Sequence, residues 1–144
     1  MDILRRNTDY ALRAMINLAR HRQQEAVSTQ ELASQEDISY QLACKLLQKL
    51  HKAKLVESCM GPKGGFRLSK EPSGITLLDV VTAIQGPIRL NRCLLEKYVC
   101  SKKCGCPIHK KLIELQKYIL NYLSQNTLQS LLGNNKRKVK GSKK

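Results

Sequence analysis

Leu42, Ala43, Leu46, Leu47 and Leu50 recur at the spacing of one helical face, while Tyr40, Gln41, Lys45, Gln48 and Lys49 fall mainly on the opposite side. Ser39 is placed to cap this helix, which runs to about Lys52. Leu55-Val56-Glu57-Ser58 then reads as a strand, Gly61-Pro62-Lys63-Gly64-Gly65 turns the chain, and Phe66-Arg67-Leu68 returns it. Upstream, Ala11, Leu12, Met15, Leu18 and Ala19 mark a helix from Asn7 or Thr8 to about Arg20, with Asp9 in its first turn, where a carboxylate is electrostatically favoured. Residues 21–27 form a polar connection. Ser28-Thr29-Gln30-Glu31 has the pattern of a capping box, opening a short helix over 31–35 that carries Leu32 and Ala33. Glu36-Asp37-Ile38 turns directly into the helix capped by Ser39. Two short helices this close fit a helix-turn-helix, braced from behind by the first long helix.

Beyond the hairpin, residues 71–74 make a turn, and Thr76 and Asp79 hold capping-box positions for a helix over 76–84 bearing Leu77, Val80, Val81 and Ile84. Gln85-Gly86-Pro87 ends it. Residues 88–103 show no period and read as loop. Pro107 sits at the first position of a helix reaching about Leu123, striped by Ile108, Leu112, Leu115, Ile119 and Leu123. Such a helix, alone at the end of a small domain, either folds back on the first helix or pairs with a second subunit. Pairing is the expected solution, because dimerisation lets a short helix-turn-helix read two half-sites. Residues 127–132 add a final short turn of helix.

The predicted class is mainly α with a small β hairpin: a winged helix-turn-helix plus a long C-terminal dimerisation helix. Its expected divisions are a DNA-binding domain over 1–86, a cysteine-rich sensor loop over 87–106, a dimerisation helix and closing segment over 107–132, and a basic disordered tail over 133–144.

Composition sharpens the functional reading. An apolar content of 42% with only 4% aromatics implies an aliphatic core, and a formal net charge of +15 over 144 residues favours a polyanion as partner. Between Ser39 and Lys70 there are seven Lys or Arg against one acid, Glu57. A polar-faced helix beside a basic hairpin suits double-stranded DNA: the helix the major groove, the hairpin tip a neighbouring phosphate track. The expected contacts are Ser39, Tyr40, Gln41, Lys45, Gln48 and Lys49 from the helix, and Lys63, Gly64, Gly65 and Arg67 from the wing. No run approaches the roughly 20 apolar residues of a membrane span, and residues 1–6 are not followed by a secretory apolar core, so a cytoplasmic protein is expected. Enzyme chemistry is not expected. The 61–65 turn lacks the following helix and Lys-Ser/Thr of a phosphate-cradling loop, and no Ser-His-Asp or paired-carboxylate pattern stands out.

Six cysteines without an export signal argue against a disulfide scaffold. Cys44 and Cys59 are isolated and read as small packing residues. Cys93, Cys100, Cys104 and Cys106 are crowded together, with His109 three residues on. Clustered thiolates in a reducing compartment suit zinc, copper or an iron–sulfur cluster. The gaps of six, three and one residues match the paired modules of structural zinc poorly. They suggest three ligands, Cys93, Cys100 and Cys106, with His109 able to reach a fourth position from the next helix. Arg92, Lys97, Lys102, Lys103, Lys110 and Lys111 would stabilise thiolates there. Sensing by cysteine oxidation without metal is the alternative.

Together these stretches resemble the Rrf2 family of bacterial transcriptional regulators over about residues 1–132. Thr8-Asp9-Tyr10-Ala11-Leu12-Arg13 resembles the family's opening helix, and Ile38-Ser39-Tyr40 leading to Leu46-Leu47-Gln48-Lys49-Leu50 its reading helix. Leu55-Val56-Glu57-Ser58 with Gly61-Pro62-Lys63-Gly64-Gly65-Phe66-Arg67-Leu68 resembles its wing. The resemblance implies a homodimer on palindromic operator DNA, with an iron–sulfur cluster in the loop before the dimer helix. It places three ligands on Cys93, Cys100 and Cys106. The fourth is His109 with a 2Fe–2S cluster, as in the iron–sulfur biogenesis regulators, or Asp9 of the other subunit with a 4Fe–4S cluster, as in the nitric-oxide-sensing members. Cys104 is extra, and the first gap is one residue longer than is common, so Cys104 and Cys106 both remain candidates for the third ligand; the Cys106-Pro107-Ile108-His109 run favours Cys106. Repression is the expected direction of control. The rivals are a cluster-free regulator sensing through thiols or a partner protein, and a metal- or cluster-handling protein without specific DNA binding.

Overall fold

The computed structural model describes residues 2–23, 26–95, 100–102 and 104–138, the last five by backbone alone. The order is α1 (Arg6–Arg20), α2 (Thr29–Glu36), α3 (Tyr40–Lys52), β1 (Val56–Cys59), β2 (Gly65–Leu68), α4 (Leu77–Gln85), α5 (Pro107–Gln125) and α6 (Leu128–Lys138). Short 3-10 turns occupy Pro72–Gly74 and Arg92–Leu94. The structure is thus mainly helical with one antiparallel hairpin, as the patterning predicts.

Helix α1 is the brace. Its inner face carries the small residues Ala11, Ala14 and Ala19 with Met15 and Leu18, all buried, so α2, α3, α4, α6 and β2 can approach it closely. Ser28 caps α2 by accepting from Glu31 N at 3.1 Å. Asp37 then takes a left-handed conformation (φ 55°), which a short polar side chain tolerates, and Ile38 N returns to Ala33 O at 3.0 Å. That turn sets α3 against α2. Ser39 caps α3 by accepting from Leu42 N at 3.1 Å, and Ala43, Leu46, Leu47 and Leu50 are buried. Leu42, expected inside with them, is only half-buried.

The hairpin pairs Val56 with Leu68 and Cys59 with Gly65. A third strand-like contact was not anticipated: Val27, expected in a polar connection, exchanges both backbone hydrogen bonds with Phe66, at 3.0 and 2.9 Å. Gly65 makes this possible, because a Cβ there would lie 2.1 Å from the Val27 carbonyl oxygen. Helix α4 has the predicted reciprocal box, Thr76 Oγ1 accepting from Asp79 N and Asp79 Oδ2 accepting from Thr76 N, and it stops at Gly86 (φ 79°).

Helix α5 packs mainly on α4 and the Arg92–Leu94 turn; it does not fold back on α1 as a core element. Of its side chains only His109 is buried, and Ile108, Leu115, Tyr118 and Tyr122 are exposed. The chain then returns to the core. Leu128 N donates to Ile75 O at 2.9 Å, the Leu128 side chain is fully buried, and α6 lies on α1. This segment is longer than the short turn expected over 127–132. Leu132 packs against the core, and the helix carries on through Gly133 to Lys138, where a loose tail was expected. Residues 139–144 of the expected tail lie outside the described residues.

Candidate nucleic-acid interface and cysteine cavity

Burial of one face of α3 fixes what the other presents. Tyr40 is 58% exposed, and Gln41, Lys45, Gln48 and Lys49 are exposed with it. The Cys44 thiol, one turn on, raises the pKa of the Tyr40 phenol above its ordinary value, chiefly by hydrogen bonding. The Ser39 hydroxyl oxygen is committed to the cap, leaving its proton as the group able to meet a phosphate. The ammonium of Lys49 also donates to the Ile84 carbonyl at the end of α4, at 3.4 Å. His51 joins the helix to the hairpin, donating from Nδ1 to Val56 O at 3.2 Å and meeting Phe66 edge-on at 6.3 Å between ring centroids.

In the wing, Gly64 N donates to Gly61 O at 2.9 Å, and a Cβ at Gly64 would sit 2.6 Å from Cys59 O. The tip is therefore a tight backbone turn that presents the exposed Lys63. Arg67 is also exposed, but its Nε donates to Glu57 Oε1 at 2.5 Å, so part of its charge is spent inside the hairpin. The carboxylate raises the Arg67 pKa further above its usual value. Met60, passed over in the sequence, is 95% exposed beside Lys63.

The second region lies at the N-terminus of α5. Asn91 caps the turn that carries Cys93, its side chain accepting from Arg92 N at 2.8 Å. Leu90 N donates to Gln116 Oε1 at 3.1 Å, which fastens the loop to α5. Gly105 (φ 85°) bends the chain ahead of Cys106, the N-cap of α5, with Pro107 next. A cavity of about 290 Å³ results, lined by Cys93, Cys100, Cys106 and His109 with Asn91, Arg92 and Ile108. His109 is 9% exposed, and its buried Nδ1 has no hydrogen-bond partner among the described residues. Cys104 is exposed and does not line the cavity. Asp9 is exposed in the first turn of α1 and does not line the cavity of its own chain.

Three thiols and one imidazole are a donor set suited to a soft metal or an iron–sulfur cluster, and an orphaned buried imidazole nitrogen is a group in need of a partner. Among the described residues the sulfurs surround the space rather than meet at a point, and no three such side chains are close enough together to hold a single metal ion. Of the cations expected to favour thiolates, Arg92 lines the cavity, while Lys102, Lys110 and Lys111 are exposed and Lys111 pairs with Glu114 at 3.1 Å. Lys97 and Lys103 lie outside the described residues.

The comparisons with known proteins agree with this architecture. The Rrf2 family, described as iron-dependent transcriptional regulators, matches residues 4–134. The chain is 32% identical over 126 residues to the HTH-type transcriptional regulator IscR of Vibrio campbellii, covering 88% of this chain and 74% of that protein. Among solved structures, CymR, the global cysteine regulator of B. subtilis, superposes with a TM-score of 0.77 at 27% identity, covering 93% of this chain and 98% of that one. IscR of T. potens gives 0.73 at 26% identity, covering 91% and 86%. No helix among the described residues is long and apolar enough to cross a membrane. Sequence match, fold and reading head agree on a DNA-binding regulator rather than an enzyme, and the chain belongs to the Rrf2 family of helix-turn-helix transcriptional regulators.

Proposed function

We propose that the chain is a cytoplasmic, homodimeric repressor of palindromic operators whose DNA affinity is set by an iron–sulfur cluster held by Cys93, Cys100, Cys106 and His109. The observation that carries this reading is the shared cavity: those four side chains line it, one contributes a buried Nδ1 without a partner among the described residues, and Cys104 stands outside. The relatives include regulators named IscR. When bound, the cluster supplies sensitivity to iron supply and redox state. The protein's own residues do the rest. Cys93 reports from the loop, Cys106 and His109 from the first turn of α5, and Gln116 binds loop and helix together. The exposed Ile108, Leu115, Tyr118 and Tyr122 form the face for a second copy, which would set the spacing of two reading heads. Tyr40, Gln41, Lys45 and Gln48 would face base edges and phosphates, with Lys63, the Gly64-Gly65 backbone and Arg67 beside the flanking backbone or minor groove. The divisions proposed are a reading unit over 1–86, a sensor loop over 87–106 and a dimer helix from 107.

Anaerobic purification followed by iron and acid-labile sulfide counts tests this. About two of each per chain supports the His109 ligand set, whereas about four of each assigns the fourth position to Asp9 of a partner copy and a 4Fe–4S cluster. A second reading rests on the separation of the sulfurs and the exposure of Cys104: a cluster-free regulator that senses through thiol oxidation. Absence of iron, sulfide and zinc, with operator binding retained, would favour it.

A further inference from the structure

Helix α4 ends at a junction. Gln85, its last residue, uses its whole amide: Oε1 accepts from the Thr8 hydroxyl at 2.7 Å and from Arg5 N at 3.0 Å, and Nε2 donates to Ile3 O at 2.9 Å. Thr8 is wholly buried, so this clasp fixes the start of α1. One residue earlier, Ile84 O accepts from the Lys49 ammonium in the last turn of the reading helix. The carbonyls at the end of a helix lack partners within it and carry partial negative charge, so a lysine is well matched there. On the other side, Gly86 breaks the helix, Ile88 is buried, Leu90 is held by Gln116 of α5, and Asn91 caps the turn of Cys93. Within residues 84–93 the chain passes from a contact with the reading helix to the wall of the cysteine cavity.

We propose that Lys49 and Gln85 are positioning residues: Lys49 ties the reading helix to the end of α4, Gln85 ties that same end to α1, and together they transmit the state of the cysteine loop to the DNA-binding head. The proposal rests on the cluster control proposed above. It also reassigns Lys49 from a DNA contact to an internal strut. Movement of the loop would pull on the end of α4, and the two contacts would convert it into a change in the seating of α3 against α1 rather than local slack. Coupling of this kind is a ratio of affinities, so it can vanish while DNA binding survives.

The test uses the full chain and the variants Lys49→Met and Gln85→Leu, with Gln85→Glu as a milder change that keeps the acceptor for Thr8 and Arg5. Operator affinity is measured for cluster-loaded and cluster-free protein at about 0.15 M salt, and hydrogen exchange of residues 3–9 is followed in cluster-free protein. A wild-type affinity ratio in the usual range of about 5- to 150-fold should fall to within about twofold of unity in Lys49→Met and Gln85→Leu. Iron content and cluster-free affinity should be unchanged, and exchange over 3–9 should quicken in the Gln85 variants but not in Lys49→Met. The proposal is overturned if Lys49→Met weakens both forms equally and lowers the salt slope by about one, the signature of a lost phosphate contact. A retained ratio in both variants overturns it as well. Equal affinities of loaded and free wild-type protein would instead overturn the cluster control itself, and the relay with it, before any variant is made.

Discussion

The reading half and the α5 half of this chain are built by opposite rules. In α3 the apolar face is covered by the chain's own α1, α2 and α4, and Leu47 and Leu50 are fully buried. In α5, a longer helix, one side chain is buried and part of the apolar stripe remains open, Leu115 at 49% and Ile108 at 67% exposure, with Tyr118 and Tyr122 beside them, while Leu112, Ile119 and Leu123 are half-buried. A helix gains most of its stability from packing an amphipathic face. The reading head can therefore fold as one chain, whereas α5 has a face still in need of a partner. The cysteine cavity lies where the two halves meet, at the first turn of α5.

The largest expected effect falls on the closed half. Leu47→Ala should cost about 2–5 kcal/mol of folding stability, seen in urea denaturation, because the site is sealed and cannot collapse fully. An unchanged midpoint would break the contrast. On the open half, Leu115→Glu should leave helix content intact while weakening self-association by about 2 kcal/mol, roughly 30-fold in the dimer constant by sedimentation. Unfolding of the monomer would show that this face is internal instead. A Lys45→Ala, Gln48→Ala double variant should lose about 1–3 kcal/mol of operator affinity with no change in thermal stability. Wild-type binding would remove α3 from the interface. The smallest effect concerns the exposed Arg22–Glu71 pair, which ties the end of α1 to the turn after the wing. The hydrogen bond from Arg22 holds the Glu71 carboxyl below its usual pKa. Its stabilisation is therefore present above the ordinary carboxylate range and is lost as pH falls through the lowered value. Glu71→Gln should be slightly less heat-stable than wild type at pH 7, and the gap should close on acidification.

Most of the fold was readable because it is local. The Ser39 cap, the period of α3, the Gly61–Gly65 turn and the Thr76–Asp79 box each depend on residues within a few positions of one another. What escaped was non-local. Val27 sits among polar residues, and its pairing with Phe66 across the fold has no signal in its own neighbourhood beyond one apolar side chain. Gln85 reads as a helix stop, and nothing nearby announces its clasp on residues 3–8. Lys49 and Arg67 count as basic in any charge inventory, yet one is turned to a carbonyl and the other to Glu57. For the cysteines, the spacing pointed to Cys106 and the departure from the family pattern kept Cys104 as its competitor; the fold places one on the surface and the other on the cavity wall.

That separation gives the most direct measurement of the central claim: iron and sulfide per chain in anaerobically purified wild type, Cys104→Ser and Cys106→Ser, side by side. The cavity account predicts that Cys104→Ser retains the wild-type content, about two of each, while Cys106→Ser loses it. Loss of the cluster in Cys104→Ser with retention in Cys106→Ser would contradict the assignment, and a wild type without iron would contradict the cluster itself.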